Sequence, residues 1–201
     1  MEDNFYIIII DDNLKNNAPL IVRMMILAKK ENVRLYRKVD DALKFIMDNL
    51  EEKMIVIMDC KFDNGSEQGI QGLKEIREKT SLISVIMMSA NQLNQMDNDD
   101  LAEMINADNI YFISNDNLHD AEKYVMQIRE RWTTTVDCVL EQWVTSQNKS
   151  LRDKPYMITS EGVKSLNDLL KDIRNRTPIG LEIESGIIHS AVGLLTNKAK
   201  K

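Results

Sequence analysis

The sequence has few of the residues that staple small extracellular or metal-bound domains. It holds only two cysteines, Cys60 and Cys138, and their separation matches no metal-ligand pattern. Two thiols and no signal peptide give the expectation of a reducing, cytoplasmic setting. No apolar run approaches the ~20 residues that a membrane span needs, so no membrane is expected. There is no surplus of positive charge. The 26 Lys and Arg stand against 32 Asp and Glu, a net charge of −6, which argues against general nucleic-acid binding by the whole protein. No internal repeat is visible, and no Gly or Pro falls between Asn117 and Pro155. His119 and His189 are isolated and read as surface or helix-end residues, not as ligands.

What is present is an ordinary core composition: 43% of the residues are apolar, which excludes global disorder. The twelve methionines read as core fillers. A length of 201 residues suits a domain of about 120 residues with an extension. The charge is uneven. Residues 150–201 carry 9 basic and 6 acidic residues, leaving an acidic body and a mildly basic end.

Met54-Ile55-Val56-Ile57-Met58-Asp59 is an apolar run that stops at a carboxylate. So short a run predicts a strand buried on both faces, as in a parallel sheet. Phe5 to Ile10 ends the same way, in Asp11-Asp12. Further strands are predicted at Val33–Tyr36, weaker and suited to a sheet edge, at Ser84–Met88, ending in Ser89-Ala90, and at Ile110–Ile113, ending in Ser114. Helices are predicted between them: Asn17–Lys30, a segment capped by Asp40 and running to Leu50, one opening at Gly69 with Leu73 and Ile76 inward, and a short one through Met104-Ile105. The loop Lys61–Gly69 and the segment Asn91–Asp99 are polar. Five alternations of strand and helix predict a doubly wound five-stranded parallel sheet.

From Asn117 one helical pattern continues through Ala121, Val125, Ile128, Trp132, Val136, Val139, Trp143 and Val144. A helix of about 30 residues would be about 45 Å long. Its second half needs a partner, either the C-terminal segment or a second copy, so a homodimer through this extended helix is expected. Thr133–Thr135 have low helix propensity, and the alternative is a helix that ends near Trp132 with a separate one after it. Residues 149–158 read as a linker. Ser160 reads as the cap of a helix bearing Val163, Leu166, Leu170 and Ile173. Thr177-Pro178 is a second start signal. Gly180, Gly186 and Gly193 weaken that last helix or permit close helix approach. The expected organisation is therefore a domain over 1–131, an extended helix and linker over 132–158, and a small all-α region over 159–201.

In a sheet of order 2-1-3-4-5, strands 1 and 3 are neighbours at the switch point, and Asp11, Asp12 and Asp59 converge. Three crowded carboxylates call for a cation, and hard oxygen donors favour Mg²⁺. One carboxylate can then attack an activated phosphoryl group, and the Ser89 hydroxyl can hydrogen-bond a phosphoryl oxygen.

Over residues 4–131 these features resemble the receiver domains of two-component response regulators. The resemblance rests on Asp11-Asp12, Asp59, the segment Gly69-Ile70-Gln71-Gly72-Leu73-Lys74-Glu75-Ile76-Arg77, Ser89-Ala90 and Tyr111. It implies a flavodoxin-like fold and phosphorylation of Asp59 by a histidine kinase or phosphotransfer protein. It implies Mg²⁺ on Asp11 or Asp12, Asp59 and the Lys61 backbone carbonyl, with Tyr111 as the switch aromatic. In receivers a Lys follows that aromatic by three residues; here Ser114 stands in its place. The loop after Asp59 is also longer than usual. The resemblance implies a signalling protein, not an enzyme, whose C-terminal region acts on a protein target. A pseudo-receiver that signals without phosphate is the second reading. A receiver-controlled nucleic-acid regulator, on DNA or as an antiterminator on RNA, is the less favoured third. A phosphatase using Asp11 is disfavoured, because residue 13 is Asn where such enzymes carry a second Asp.

Overall fold

The four apolar runs and the weaker strand at Val33–Tyr36 form one sheet. In the computed structural model β1 (Tyr6–Ile10), β2 (Val33–Tyr36), β3 (Met54–Asp59), β4 (Ser84–Ser89) and β5 (Ile110–Ser114) pair in the order β2-β1-β3-β4-β5, all parallel. This is the flavodoxin-like order, and β2 lies at an edge as expected. The structure describes residues 4–50, 52–62, 68–89, 102, 109–114 and 118–198. The segment 91–99, the helix expected through Met104-Ile105, the middle of the loop after Asp59, Ala90 and the last lysines lie outside the described residues.

The sheet forms because its central strands have apolar cover on both faces. Ile7 to Ile10 and Ile55 to Met58 are fully buried. Side chains alternate across a strand, so each run supplies both faces. Ile8, Ile10, Val56, Met58, Val85 and Met87 share one core with α2 (Val39–Asp48) and α3 (Gln68–Arg77). Each such side chain contributes about 2 kcal/mol of burial. On the other face, Arg129 of α4 (Leu118–Thr134) lies over the Phe5 ring at 5.0 Å. Arg23 of α1 (Pro19–Ala28) pairs with Glu122 of α4 at 2.8 Å. The second helix starts earlier than read: Val39 is its first residue and Asp40 lies in its first turn, where a carboxylate complements the helix dipole without capping it.

The chain divides into two compact units, Met1–Glu130 and Arg131–Lys201. The expected single long helix is interrupted. α4 ends at Thr134, Thr135 is extended (φ −100°, ψ 141°), and α5 (Val136–Ser146) begins anew. Three consecutive β-branched residues disfavour the helix. The Thr134 and Thr135 hydroxyls also donate back to the Arg131 carbonyl, at 3.4 and 3.0 Å, offering the backbone an alternative to helix. The extended-helix reading is therefore corrected, and a dimer along it loses its geometric basis.

The C-terminal unit is helical but not all-α. After the short α6 (Lys149–Arg152), residues expected as linker and helix start form an antiparallel hairpin of β6 (Pro155–Thr159) and β7 (Gly162–Ser165). Gly162 has φ +112°, a conformation that favours glycine, and it ends the turn. The next helix, α7 (Leu166–Arg174), starts at Ser165, not Ser160. Ser165 Oγ accepts from the Asp168 amide at 3.2 Å, and the Ser165 amide donates to Asp168 Oδ2 at 2.9 Å, a reciprocal capping box. Ser160 has Val163 three residues on and offers no such partner. Leu166, Leu169 and Leu170 pack with Val144, while Val163 is exposed. α8 (Pro178–Lys198) starts where Thr177-Pro178 predicted, with the Gly180 amide donating to Thr177 Oγ1 at 3.2 Å. A Cβ on Gly180 would lie 2.4 Å from the Asp172 carbonyl oxygen, so this glycine does allow close helix approach. Gly186 and Gly193 face open space. By length and composition alone, Pro178–Thr196 is apolar enough to cross a membrane, unlike any run singled out in the sequence.

Candidate functional site

Parallel pairing brings the ends of β1 and β3 side by side. Ile10 is level with Met58, so Asp11, Asp12 and Asp59 emerge together at the carboxyl edge of the sheet. One carboxylate oxygen from each lies within 4.8 Å of the others. Asp11 is buried; Asp12 and Asp59 are half-buried. The three residues singled out from sequence thus form one cluster.

The backbone around the cluster is tied down. The Asp11 amide donates to the Tyr36 carbonyl at 3.0 Å, and Arg37 Nη1 donates to the Asp11 carbonyl at 3.1 Å. Asp11 Oδ1 accepts the amides of Asn13 at 2.8 Å and Leu14 at 2.7 Å. That folds the loop around one oxygen of Asp11. Asn13 Nδ2 donates to Asp12 Oδ1 at 3.2 Å. On the β3 side, the Cys60 amide donates to the Met88 carbonyl at 2.8 Å, and the Lys61 amide reaches Asp59 Oδ1 at 3.3 Å. Gly69, in the first turn of α3, lies directly against this strand end. A Cβ there would stand 1.9 Å from the Asp59 carbonyl oxygen. Only glycine permits this approach.

Electrostatics follow from the crowding. Burial pushes the Asp59 carboxyl up to about 6, and the neighbouring charges of Asp11 and Asp12 push in the same direction. The Lys61 and Cys60 amides pull against them and lose. Desolvation and like charge both disfavour the anion here, and a cation would reverse both. Three clustered hard oxygen donors are a donor set that fits Mg²⁺.

Ser89 is buried at the end of β4, and in the register it stands beside Ser114 at the end of β5. Two hydroxyls, not a hydroxyl and a lysine, therefore occupy the ends of the last two strands. Tyr111 is placed elsewhere. It is level with Ile86, three residues before the strand end, and packs at a tilt of 41° against Tyr124 of α4 with ring centroids 4.9 Å apart. Asp59 in turn is level with Met88. Sequence reading missed Arg37 and the steric role of Gly69. A Gly at the start of a helix just after a strand-end Asp was the available signal for the latter; nothing marked Arg37.

No family model and no curated protein matches the chain. Solved structures of similar fold do exist. The N-terminal domain of an uncharacterized protein from Wolinella succinogenes is 14% identical, with 65% of this chain and 98% of that one covered and a TM-score of 0.49. The signal receiver domain of an HD domain-containing protein from Pseudomonas fluorescens is 18% identical over 65% of this chain and 98% of that one, at a TM-score of 0.48. A response regulator receiver domain protein from Clostridium thermocellum has the same identity and coverage, at a TM-score of 0.47. At these identities the likeness concerns the fold alone.

Proposed function

We propose that residues 1–131 form a receiver-type switch of two-component signalling, that Asp59 is its phosphoacceptor, and that the C-terminal residues carry its output to a protein target. In this organisation 132–158 connect the switch to an output region over 159–201. The observation that carries the reading is the meeting of Asp11, Asp12 and Asp59 at the switch point of a 2-1-3-4-5 sheet, with one oxygen of each within 4.8 Å of the others.

The chemistry is a phosphoryl transfer to the protein itself. An Asp59 oxygen attacks the phosphorus of a phosphohistidine on a histidine kinase or phosphotransfer protein. The P–O bond forms as the P–N bond breaks, and the imidazole leaves with a proton. Asp11 or Asp12, Asp59 and the Lys61 carbonyl would hold Mg²⁺, which neutralises charge on the phosphoryl oxygens. Asp59 must be ionised to attack, and with its pKa near 6 it is mostly so at the neutral pH of a cytoplasm. Ser89 donates to a phosphoryl oxygen. Ser114 supplies a hydroxyl where a lysine would supply charge, so the acyl phosphate here is read more weakly. Tyr111, packed on Tyr124, is the aromatic that answers the change.

The test uses the full chain with a labelled small phosphodonor and Mg²⁺. One alkali-labile phosphoryl group per chain is expected, and none on Asp59→Asn. Undiminished labelling of Asp59→Asn would overturn the assignment. The Ser89–Ser114 pair favours one second reading, an interaction module that needs no phosphate. It predicts no labelling and no Mg²⁺-dependent change in tryptophan fluorescence with a phosphoryl mimic.

A further inference from the structure

Within the C-terminal unit, α5, the β6–β7 hairpin, α7 and α8 surround a groove of about 870 Å³. Because four elements line it, the space is a recess of one protomer and not one face of a single helix. Its walls are mostly apolar, with Ile158 from the hairpin and Ile183 and Ile187 from α8 among them. Small-molecule sites have this size and character: about 300 to 1,000 Å³, apolar, with a few placed polar groups.

One glycine keeps the recess open. Gly186 lines it from the middle of α8, where glycine is a poorer helix former than any residue but proline. A Cβ at Gly186 would meet no atom within 4 Å, so close packing does not require the glycine. Its missing side chain leaves room in the wall instead.

The charge in the groove is of one sign. Glu182 is the single charged residue among those lining it, and it makes no ion pair or hydrogen bond among the described residues. The hydroxyls that line the groove are partly committed to the backbone: Ser190 Oγ donates to the Gly186 carbonyl at 2.8 Å, and Thr159 Oγ1 to the Gly162 carbonyl at 3.0 Å. Trp143 and Tyr156 line the same groove, with ring centroids 6.0 Å apart and planes inclined at 59°. Both residues are exposed. Aromatic rings left open in this way offer electron-rich faces to a cation.

We propose that this groove binds a small apolar molecule carrying one positive charge, an alkyl- or arylamine. Its apolar body occupies the space that Gly186 leaves between the isoleucines. Its ammonium group answers the Glu182 carboxylate and the rings of Trp143 and Tyr156. A carboxylate on the same apolar body would meet the charge of Glu182 and find no cation. The inference is independent of phosphoryl transfer to Asp59.

Titration of the full chain with 4-phenylbutylamine, 4-phenylbutanol and 4-phenylbutyrate tests it, read by tryptophan fluorescence and calorimetry. The three share one apolar body and differ in charge. The amine is expected to bind saturably, one per chain, about tenfold more tightly than the butyrate, with the alcohol between them. Glu182→Gln should bring the amine down to the affinity of the alcohol. Gly186→Leu should fill the groove and abolish binding while raising the unfolding midpoint, since leucine is the better helix former and its Cβ has space. Lost binding is thereby separated from lost folding. Butyrate that binds as tightly as the amine overturns the proposal, as does amine binding unchanged by Glu182→Gln or by Gly186→Leu. No saturable binding of any of the three overturns it as well. Self-association that shields Trp143 from an acrylamide quencher without any amine would assign the groove to a second copy and overturn it too.

Discussion

The two units treat apolar surface in opposite ways. Met1–Glu130 buries its apolar runs on both faces of a sheet and gathers charge into an open cluster. Arg131–Lys201 does the reverse. Of the sixteen exposed large apolar residues described, thirteen belong to it, while several of its charges are tied into pairs and a cap. Glu141 and Arg174 meet at 2.6 Å between α5 and α7, and Ser165 and Asp168 close the start of α7. Both follow from size. A sheet with helices packed on it has enough interior for its apolar residues. A unit of about 70 residues cannot hide all of its own, and chains of this size recruit a partner or a staple. The first unit thus presents a cluster of carboxylates, and the second an apolar surface.

Substitutions that exchange these habits should break the contrast. The largest effect is expected from Gly69→Ala, because a Cβ 1.9 Å from the Asp59 carbonyl forces α3 off the strand. A loss of about 3 kcal/mol is expected in denaturant unfolding. An unchanged midpoint would show that the close approach is not maintained. In the C-terminal unit, burial raises the pKa of Glu141, and the Arg174 guanidinium, 2.6 Å away, pulls against that rise. Arg174→Met should therefore cost about 3 kcal/mol, with Glu141→Leu/Arg174→Met costing much less. If the double variant is as unstable as the single, packing and not charge is the cause.

Asp59 gives a smaller effect of the opposite sign. Its folded pKa, about 6, lies above the value near 3.9 of an unfolded chain, so the folded state binds the proton more tightly. The stability this brings is present below about pH 3.9 and is lost as pH rises through 6. At pH 7.5 Asp59→Asn should be more stable than wild type by about 1 kcal/mol, after allowing for solvent screening of a half-exposed group. That advantage should shrink between pH 6 and 4 in thermal melts. Mg²⁺ should narrow it at pH 7.5 by stabilising the wild type. The smallest change is Ser165→Ala, which removes a cap and should cost about 1 kcal/mol, read as lost helicity and a lower midpoint.

The first unit was legible because its signals are local and redundant. Four apolar runs, each bounded by polar residues, leave little choice of strand. Asp11, Asp12 and Asp59 stand directly after two of them. The second unit was read less well because its signals compete. Trp132 and Trp143 share a helical period across Thr133–Thr135, and the period hid a break made by side-chain hydroxyls. Tyr156-Met157-Ile158-Thr159 followed by Ser-Glu-Gly is a strand and turn signal, outweighed by the helical spacing of Val163 with Leu166. Ser160 and Ser165 are equal as caps until the third residue on is compared, Val163 against Asp168. Where β2 ends was legible; that Arg37 there holds the Asp11 carbonyl was not, because a long flexible side chain has no fixed direction in sequence.

The contact of Gly69 with Asp59 bears on how force would travel through the site. The Asp59 carbonyl is blocked on one side by a helix turn that stands too close to yield, and the next amide is bonded to Met88. The end of β3 therefore behaves as an anvil. In the proposed switch, a change of charge on the Asp59 side chain would act on a strand end held on two sides, by the first turn of α3 and by the Met88 carbonyl. It is the absence of a side chain at Gly69 that lets the helix stand this close to the strand end.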